Sequence, residues 1–331
     1  MPEQQTWRMV LGNIIQDPLE RQRIADSLGV NSITLVRWAN DDSNPRPRNL
    51  QQLLLALPQQ RQLLRDLIAE EFGEAFARMK NEPLMDVPQE VPSAFYTSVL
   101  QVYATIPLQL RFWSVSNLVL QQALGQLDPN QVGLIISLAQ CNPPMHGKKI
   151  RSLRERVGRG TLPWKSIMDQ QAILLGSESL AGRAVSTYHQ LTFQDRTESQ
   201  SLFPSHWTEW EESASVCPIM FDGRIAGCLL VSSTQPNYFL PFRETLIQHY
   251  ARLIVLAFEP HEFYELQDIE LHPMPPYQEQ EPYFGGFRQR ITAAMVQSTQ
   301  DHRSITIAQA EQLAWQQLEE EFLRWPLSSG L

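Results

Sequence analysis

The chain has 331 residues, of which 43% are hydrophobic and 19% charged, and its formal net charge is −9 at pH 7. This composition is typical of a globular protein and excludes a chain that is disordered throughout. The sequence contains no run of 18 apolar residues, so no membrane-spanning helix is predicted. The three cysteines form no CxxC pair, so they predict reduced, buried thiols and neither a disulfide framework nor a metal site. The N-terminus is not typical of a signal peptide, so we expect a cytoplasmic protein. A length of 331 residues predicts about two domains.

The charge is distributed unevenly along the chain. Residues 1–80 carry ten basic and ten acidic side chains, whereas residues 262–331 carry four basic and eleven acidic ones. Affinity for nucleic acid that does not depend on base sequence comes from cations that meet phosphates. A neutral N-terminal segment therefore needs a second copy or a locally basic face to bind DNA strongly.

Residues 1–80 predict an all-helical domain, with a helix break at Pro58. Within it, "RIADSLGVNSITLVRWAN" (23–40) predicts two short helices that meet at Gly29. Ala25 is the small residue needed where two such helices touch, and Asn31 or Ser32 can cap the second helix. The apolar anchors of the pair are Ile24, Leu28, Val30, Leu35 and Trp38.

This arrangement resembles the helix-turn-helix of the phage-repressor (Cro/C1-type, or XRE) family, and "NPRPRNLQQLLLALP" (44–58) resembles that family's loop before its fourth helix. The resemblance implies that the second helix lies in the major groove of DNA. The side chains that would then contact bases or phosphates are Asn31, Ser32, Ile33, Val36, Arg37, Arg46 and Arg48. The alternative is an all-α bundle that uses Gly29 in an ordinary turn.

A Pro-rich linker is predicted over residues 81–92, and a mixed α+β segment over residues 93–261. This segment begins with a long helical pattern that Pro107 interrupts. "QVGLIISLAQ" (131–140) then predicts a buried strand.

"SASVCPIMFDGRIAGCLLVSST" (213–234) predicts a hairpin that turns at Asp222-Gly223, because both turn positions need positive φ. A closing helix is predicted over residues 241–259. With "LGSESLAGRAVSTYHQLTFQD" (175–195) before it, this order resembles a GAF domain. The resemblance implies an α/β sandwich with a central antiparallel sheet that senses a small molecule, or that binds nothing and dimerises. The bilin-attaching Cys-His pair and the Asn-Lys-Phe-Asp-Glu signature are not found, so the cofactor is unknown.

The segment "HGKKIRSLRERVGRG" (146–160) carries six Lys or Arg and one Glu. It predicts either capture of an anionic ligand, or contact with DNA or with the acidic tail. The alternative is a solvated loop or strand. The residues that would bind the ligand are Lys148, Lys149, Arg151, Arg154 and Arg156.

A Pro-rich acidic linker is predicted over residues 262–286, and an amphipathic helical tail over residues 287–331. Its apolar stripe consists of Ile307, Ala310, Ala314, Leu318, Phe322 and Trp325. Such a stripe must be buried, either on the sensor domain or on a second subunit.

Together these patterns predict a non-enzymatic, homodimeric transcription regulator with an α+β multidomain fold, in which the helix over 93–124 couples the DNA-binding domain to the sensor. Its partners would be a double-stranded DNA operator and a small anionic ligand, with no membrane. One alternative is an interaction or scaffold protein whose GAF-like domain binds no ligand. A further alternative is a thiol-dependent reductase that uses Cys217 and Cys228, which requires a lowered thiol pKa and a hairpin register that brings both sulfurs together.

Overall fold

The computed structural model describes residues 6–45, 47–57, 59–72, 90–145, 147–164, 173–197, 210–302 and 304–324. The linker predicted over 81–92 lies mostly outside these ranges. The chain divides into two compact units: the first holds the described residues up to 72 with 126–134 and 160–164, and the second holds the others. Within the described ranges, no helix combines the length and the hydropathy needed to cross a lipid bilayer.

The N-terminal part of the first unit is built from helices. They are α1 (Trp7–Ile14), α2 (Pro18–Leu28), α3 (Ser32–Ala39), α4 (Pro47–Ala56) and α5 (Arg61–Phe72). α1 packs against α3 and α5, and α2 packs against α3 and α4. The predicted helix break falls between α4 and α5, although Pro58 itself lies outside the described residues.

Side-chain caps set where the first two helices begin. The Thr6 hydroxyl accepts a hydrogen bond from the backbone N–H of Met9, and the Asp17 carboxylate accepts one from that of Leu19. These caps satisfy N–H groups that have no partner within the helix. The apolar anchors predicted for the α2–α3 pair then pack in one buried cluster, in which Val30 is half-buried.

The elements that follow mix helices and strands. In chain order they are α6 (Ser93–Thr105), α7 (Leu108–Leu127), β1 (Leu134–Cys141), β2 (Leu153–Gly160), β3 (Leu174–Leu175), α8 (Leu180–Thr187), β4 (Leu191–Phe193), β5 (Ser213–Phe221), β6 (Arg224–Ser233), α9 (Pro241–Ile254), α10 (Tyr277–Phe284), α11 (Phe287–Gln300) and α12 (Ile307–Leu323). The interruption predicted at Pro107 is confirmed, because α6 ends at Thr105 and α7 begins at Leu108.

In the described residues, six strands form one sheet in the order β3-β2-β1-β6-β5-β4. The pairs β2–β3, β4–β5 and β5–β6 are antiparallel. The predicted hairpin is confirmed: β5 and β6 turn at Asp222 (φ 51°) and Gly223 (φ 70°). α8 and α9 both pack on these two strands. The chain therefore forms a mixed fold, with helices around an antiparallel sheet.

A side chain closes the β3 edge of the sheet. Gln280 of α10 is fully buried, and its Oε1 accepts a hydrogen bond of 2.9 Å from the backbone N–H of Leu174. Its Nε2 donates to the carbonyl oxygens of Leu174 (2.8 Å) and Pro275 (2.7 Å). The amide thus satisfies the peptide groups that a neighbouring strand would otherwise bond.

The C-terminal segment packs within the second unit. Trp315, Leu318 and Phe322 of α12 are buried in one cluster with Leu174 and Met274. Two predictions need correction here: Ile307 is exposed instead of joining the apolar stripe, and residues 262–286 include α10 and two backbone bridges instead of a linker. The proline and acidic content of residues 262–286 suggested a linker. Instead, the hydrogen bonds of Gln280 and the contact between the rings of Tyr283 and Phe322 hold this segment in place. Trp325 lies outside the described residues.

Candidate functional site

A turn of three residues joins α2 to α3. Gly29 adopts the left-handed conformation (φ 63°, ψ 33°), and a Cβ built there would meet no heavy atom within 4 Å. The backbone N–H of Val30 donates to the carbonyl oxygen of Ala25 (3.0 Å), which closes the end of α2. The side chain of Asn31 then accepts a hydrogen bond of 2.9 Å from the N–H of Ile33 and starts α3. The turn therefore depends on a glycine and on an N-cap, as predicted.

The side chains of α3 divide between the core and solvent. Leu35 and Trp38 are buried in the core, whereas Ile33 is 65% exposed and Arg37 is exposed. Val36 is half-buried and packs against the core cluster.

The remaining residues predicted to contact DNA lie in different surroundings. Asn31 is exposed, although its Oδ1 serves the cap, and Ser32 is half-buried. Arg46 lies outside the described residues, and Arg48 belongs to α4, where its side chain is not described. The structure therefore brings Asn31, Ile33 and Arg37 to the outer side of α3.

Arg8 fixes the C-terminal end of α3. Its buried guanidinium donates to the carbonyl oxygen of Trp38 (2.7 Å), to Asn44 Oδ1 (2.6 Å) and to Glu71 Oε1 (2.7 Å). It also lies 4.5 Å from the ring centroid of Trp7. Arg8 therefore ties α3 to α1 and α5. The sequence carried no signal for this role, since a single arginine on a short helix is usually solvated.

A second buried arginine lies at the start of α5 in the first unit. Arg61 donates to the carbonyl oxygens of Leu54 (2.9 Å) and Val132. Asp128 accepts hydrogen bonds from the N–H of Val132 (2.7 Å) and from Thr161 Oγ1 (2.5 Å). Burial lowers the pKa of Arg61 to about 10 and raises the pKa of Asp128. These bonds hold residues 126–134 against the N-terminal helices within this unit.

The basic segment meets the acidic helix α12. Glu319 is 1% exposed, and its carboxylate accepts hydrogen bonds from Arg151 Nη2 (2.5 Å), Ser152 Oγ (2.5 Å) and Asn142 Nδ2 (3.2 Å). A buried carboxylate is tolerated when donors surround it in this way. Desolvation opposes protonation of Arg151, but the hydrogen bonds that it donates to Glu320 and Glu319 and the negative charges of these carboxylates outweigh it and raise its pKa.

Two lysines of the same segment form ion pairs. Lys148 Nζ lies 2.5 Å from Glu320 Oε1, and Lys149 Nζ lies 3.1 Å from Glu270 Oε2. The hydrogen bonds from Lys148 and Arg151 lower the pKa of Glu320. The sequence left three partners open for the basic segment: an anionic ligand, DNA and the acidic tail. In the structure, Lys148 and Arg151 form ion pairs with the acidic tail.

The two arginines of β2 lie against aromatic rings. The Arg154 guanidinium is 4.9 Å from the ring centroid of Trp315 and 3.6 Å from Glu311. The Arg156 guanidinium is 3.9 Å from the ring centroid of Phe112 and donates to Gln140 Oε1 (2.7 Å). Burial lowers the pKa of both arginines, that of Arg154 to about 9. These contacts make both side chains part of the packing between the sheet and its helices.

The cysteines of the hairpin lie on opposite faces of the sheet. In the β5–β6 register Cys217 pairs with Leu229, and Cys228 pairs with Pro218. Directly paired residues share a face and consecutive residues alternate, so the two sulfurs point apart. Burial raises the pKa of the Cys217 thiol to about 12 and raises the pKa of the Cys228 thiol well above its ordinary value. The geometry does not favour the thiol chemistry that the reductase alternative requires.

A cavity of about 730 Å³ opens beside the β5–β6 turn. It is lined by Tyr188, Asp222, Gly223, Arg224, Glu265, Leu266 and Gln267. The buried hydroxyl of Tyr188 makes no hydrogen bond with the described part of the chain. Across the described residues, no three His, Cys, Asp or Glu side chains are grouped so as to hold a metal ion.

Comparison with known proteins gives matches to solved structures. No protein-family model and no curated protein matches this chain. It is similar to the GAF domain of a phosphoenolpyruvate-protein phosphotransferase from Acinetobacter, with 15% identity and a TM-score of 0.37 over 49% of this chain and 89% of that one.

Two further solved structures are similar to it. The type II free methionine-R-sulfoxide reductase of Thermoplasma acidophilum has 19% identity and a TM-score of 0.33 over 48% of this chain and 99% of that one. The GAF-B domain of DevS from Mycobacterium smegmatis has 17% identity and a TM-score of 0.32 over 44% of this chain and 91% of that one. A reductase stands beside GAF domains in this set, so the similarity does not single out one function.

Proposed function

We propose that this chain is a DNA-binding transcription regulator, with α2 and α3 as its helix-turn-helix and a GAF-like domain that senses a small molecule, dimerises, or does both. The observation that carries the proposal is the α2–α3 turn. Gly29 is left-handed, Asn31 caps α3, and α3 buries one face while exposing the other. A helix that reads DNA needs this division between anchors and outward side chains.

The outer face of α3 has the chemistry to read base edges. Arg37 can form two hydrogen bonds with guanine, and Ile33 can contact the methyl group of thymine. Ile33 is 65% exposed, so its side chain is accessible for such a contact. Arg8 supports this role of α3, because it donates a hydrogen bond to the carbonyl oxygen of Trp38 and so fixes the C-terminal end of the helix.

The GAF-like half of the proposal is supported by the sheet and its connections. An antiparallel sheet, the Asp222-Gly223 hairpin and the closing helix α9 occur in the order that the sequence resemblance implies. We propose that a small molecule binds one conformation of this domain better than another and thereby changes affinity for the operator. Two DNA-binding domains of a homodimer would meet half-sites about 34–36 Å apart.

The test is selection of bound fragments from a random DNA pool with the full-length protein, at low and at physiological salt. We expect an enriched inverted repeat whose binding weakens as salt rises. If folded protein enriches nothing at either salt, an interaction or scaffold role replaces this proposal.

Arg37→Ala tests the assignment of α3. We expect binding of the preferred site to weaken by about 1–3 kcal/mol, with relaxed preference at one base pair and an unchanged melting temperature. Arg183→Ala is the matched control, because Arg183 is exposed like Arg37 but lies on α8, outside the α2–α3 pair. An Arg37→Ala protein with wild-type affinity would remove α3 as the recognition helix.

A further inference from the structure

The first unit contains two short segments that lie far along the chain from its helices. Residues 126–134 and 160–164 belong to this unit, whereas the residues between them belong to the second. The first segment leads into β1, which begins at Leu134, and the other follows β2, which ends at Gly160. The covalent chain therefore passes from one unit to the other at the ends of two strands.

Hydrogen bonds join the two segments to each other. The Asp128 carboxylate accepts hydrogen bonds from the backbone N–H groups of Val132 (2.7 Å) and Gly133 (3.2 Å). It also accepts one from Thr161 Oγ1 (2.5 Å), and this hydroxyl oxygen accepts a hydrogen bond of 2.8 Å from the N–H of Leu134. One carboxylate and one hydroxyl therefore fix the loop before β1 against the residue that follows β2.

The same loop is bonded to the N-terminal helices. Val132 donates its N–H to Asp128, and its carbonyl oxygen accepts a hydrogen bond from Arg61 of α5. The Arg61 guanidinium also donates, from Nε, to the carbonyl oxygen of Leu54 in α4 (2.9 Å). Because Arg61 is 5% exposed, water does not readily replace these bonds. One peptide unit thus separates the carboxylate that holds the strand ends from the arginine that holds α4.

The series of hydrogen bonds continues to α2. The Arg23 guanidinium of α2 donates to the carbonyl oxygen of Ala56 (3.1 Å), the last residue of α4. α2 and α4 also pack together, and Ile24 and Leu53 are fully buried in their common core. Since α2 is the first helix of the proposed helix-turn-helix, bonded contacts lead from Thr161 to the helices that would bind DNA.

We propose that Asp128, Val132 and Arg61, called here the loop joint, transmit movements at the ends of β1 and β2 to α2 and α4. Coupling between distant sites is carried by packed and hydrogen-bonded groups that have discrete arrangements. A strand end that moves must either break the bond between Thr161 and Asp128 or displace Val132 and Arg61 with it. The inference rests on the proposed function and names how its regulation would reach the DNA-binding helices.

The experiment removes the Thr161 hydroxyl and measures the response of the helices. Thr161→Val keeps the shape of the side chain but takes this donor from Asp128. We expect the backbone amides of α2 and α4 to exchange about threefold faster in the full-length protein, measured by hydrogen–deuterium exchange. We expect the operator found by DNA selection to bind about threefold more weakly, because fewer molecules hold the competent arrangement. Thr161→Ser, which keeps the hydroxyl, should behave as the wild type.

Thr192→Val is the matched control. The Thr192 hydroxyl lies 3.0 Å from Ser215 Oγ, between β4 and β5 in the second unit. The control makes the same chemical change outside the loop joint, so exchange in α2 and α4 should stay at the wild-type rate. Arg61→Lys tests the joint from the other side, since lysine lacks the two-pronged guanidinium. Because coupling is reciprocal, it should speed exchange of the Leu134 amide.

Two results would overturn the inference. Faster exchange of residues 128–134 in Thr161→Val, with wild-type exchange in α2 and α4, would show that the loop and the helices move independently. An equal increase in Thr192→Val would show a general loss of stability. If Thr161→Val does not fold, wild-type exchange of Leu134 in Arg61→Lys overturns the inference instead. A wild type that selects no DNA contradicts the proposed function alone, because exchange in α2 and α4 is measured without DNA.

Discussion

Helix α3 and strand β2 were both predicted from sequence to present polar or basic side chains to a ligand, and the structure treats them differently. Ile33 and Arg37 of α3 reach solvent. The arginines of β2 lie against Trp315 and Phe112, and Arg151, just before the strand, binds a carboxylate 168 residues away. The periodicity of a helix indicates which face is outward, but no local pattern states what covers a strand.

The two units also differ in how their buried charges are compensated. In the first unit, Arg8 and Arg61 donate to backbone carbonyl oxygens at the ends of helices and loops. In the second unit, carboxylates brought by a distant helix compensate the basic segment. The buried arginines of the first unit orient its helices, whereas the ion pairs of the second unit hold α12 on the sheet.

The largest expected effect breaks the compensation of the basic segment. Glu319→Ala leaves the donors of Arg151, Ser152 and Asn142 without their carboxylate. We expect a loss of about 3–5 kcal/mol in the free energy of unfolding, measured by urea denaturation, because the buried donors of Ser152 and Asn142 lose their acceptor and Arg151 keeps only the more exposed Glu320.

Glu320→Ala is the control for that substitution, because Glu320 is more exposed. Its loss should stay below about 1 kcal/mol. Hydrogen bonds lower the pKa of Glu320, so its contribution is present above the unfolded pKa and disappears as pH falls through the folded value. Equal losses for the two variants would mean that α12 is not held by the buried carboxylate.

The carboxylate of Glu211, which is half-buried in the second unit, is expected to destabilise the fold when it is charged. Burial raises the pKa of Glu211 to about 7, against the hydrogen bond from Ser232 and the charge of Arg196. Because the folded pKa lies above the unfolded one, its contribution to stability is complete at low pH and disappears as pH rises to about 7.

Glu211→Gln should therefore raise the free energy of unfolding above pH 7, by at most about 3 kcal/mol, and change little at pH 4. Urea denaturation at both pH values measures this difference. Glu212→Gln is the matched control, since Glu212 pairs with Arg196 at 3.5 Å, and it should not stabilise the protein. A Glu211→Gln gain that is the same at both pH values would contradict titration of this carboxyl group.

The smallest expected effect concerns the turn before α3. Gly29→Ala should cost about 1–2 kcal/mol, because a left-handed conformation strains any residue with a Cβ. The Cβ itself meets no neighbour, so the cost is conformational. Gly29→Asn should cost less, since asparagine tolerates this conformation. Thermal unfolding measures both, and equal stability of all three proteins would show that the turn relaxes to another geometry.

Local patterns predicted several elements well. Gly29 and Asn31 mark the α2–α3 turn, Pro107 separates α6 from α7, and Asp222-Gly223 forms the hairpin turn. Each depends on the backbone freedom of one or two residues, which the residue type states directly.

Other features escaped prediction because their partners are distant in sequence. Gln280 closes the edge of β3, Glu319 lies among donors from the β1–β2 region, and Arg8 reaches the end of α3. Composition alone suggested that residues 262–286 are a linker, although they include α10 and two backbone bridges.

The sequence by itself determined the α2–α3 turn, the break between α6 and α7 at Pro107, the turn of the hairpin and the apolar face of α3, since these follow from backbone preferences and side-chain periodicity. Tertiary structure alone decided that α12 covers the basic segment and that Cys217 and Cys228 face apart. The reason is physical: burial and ion pairing depend on contacts between residues far apart in the chain, and no local window contains both partners.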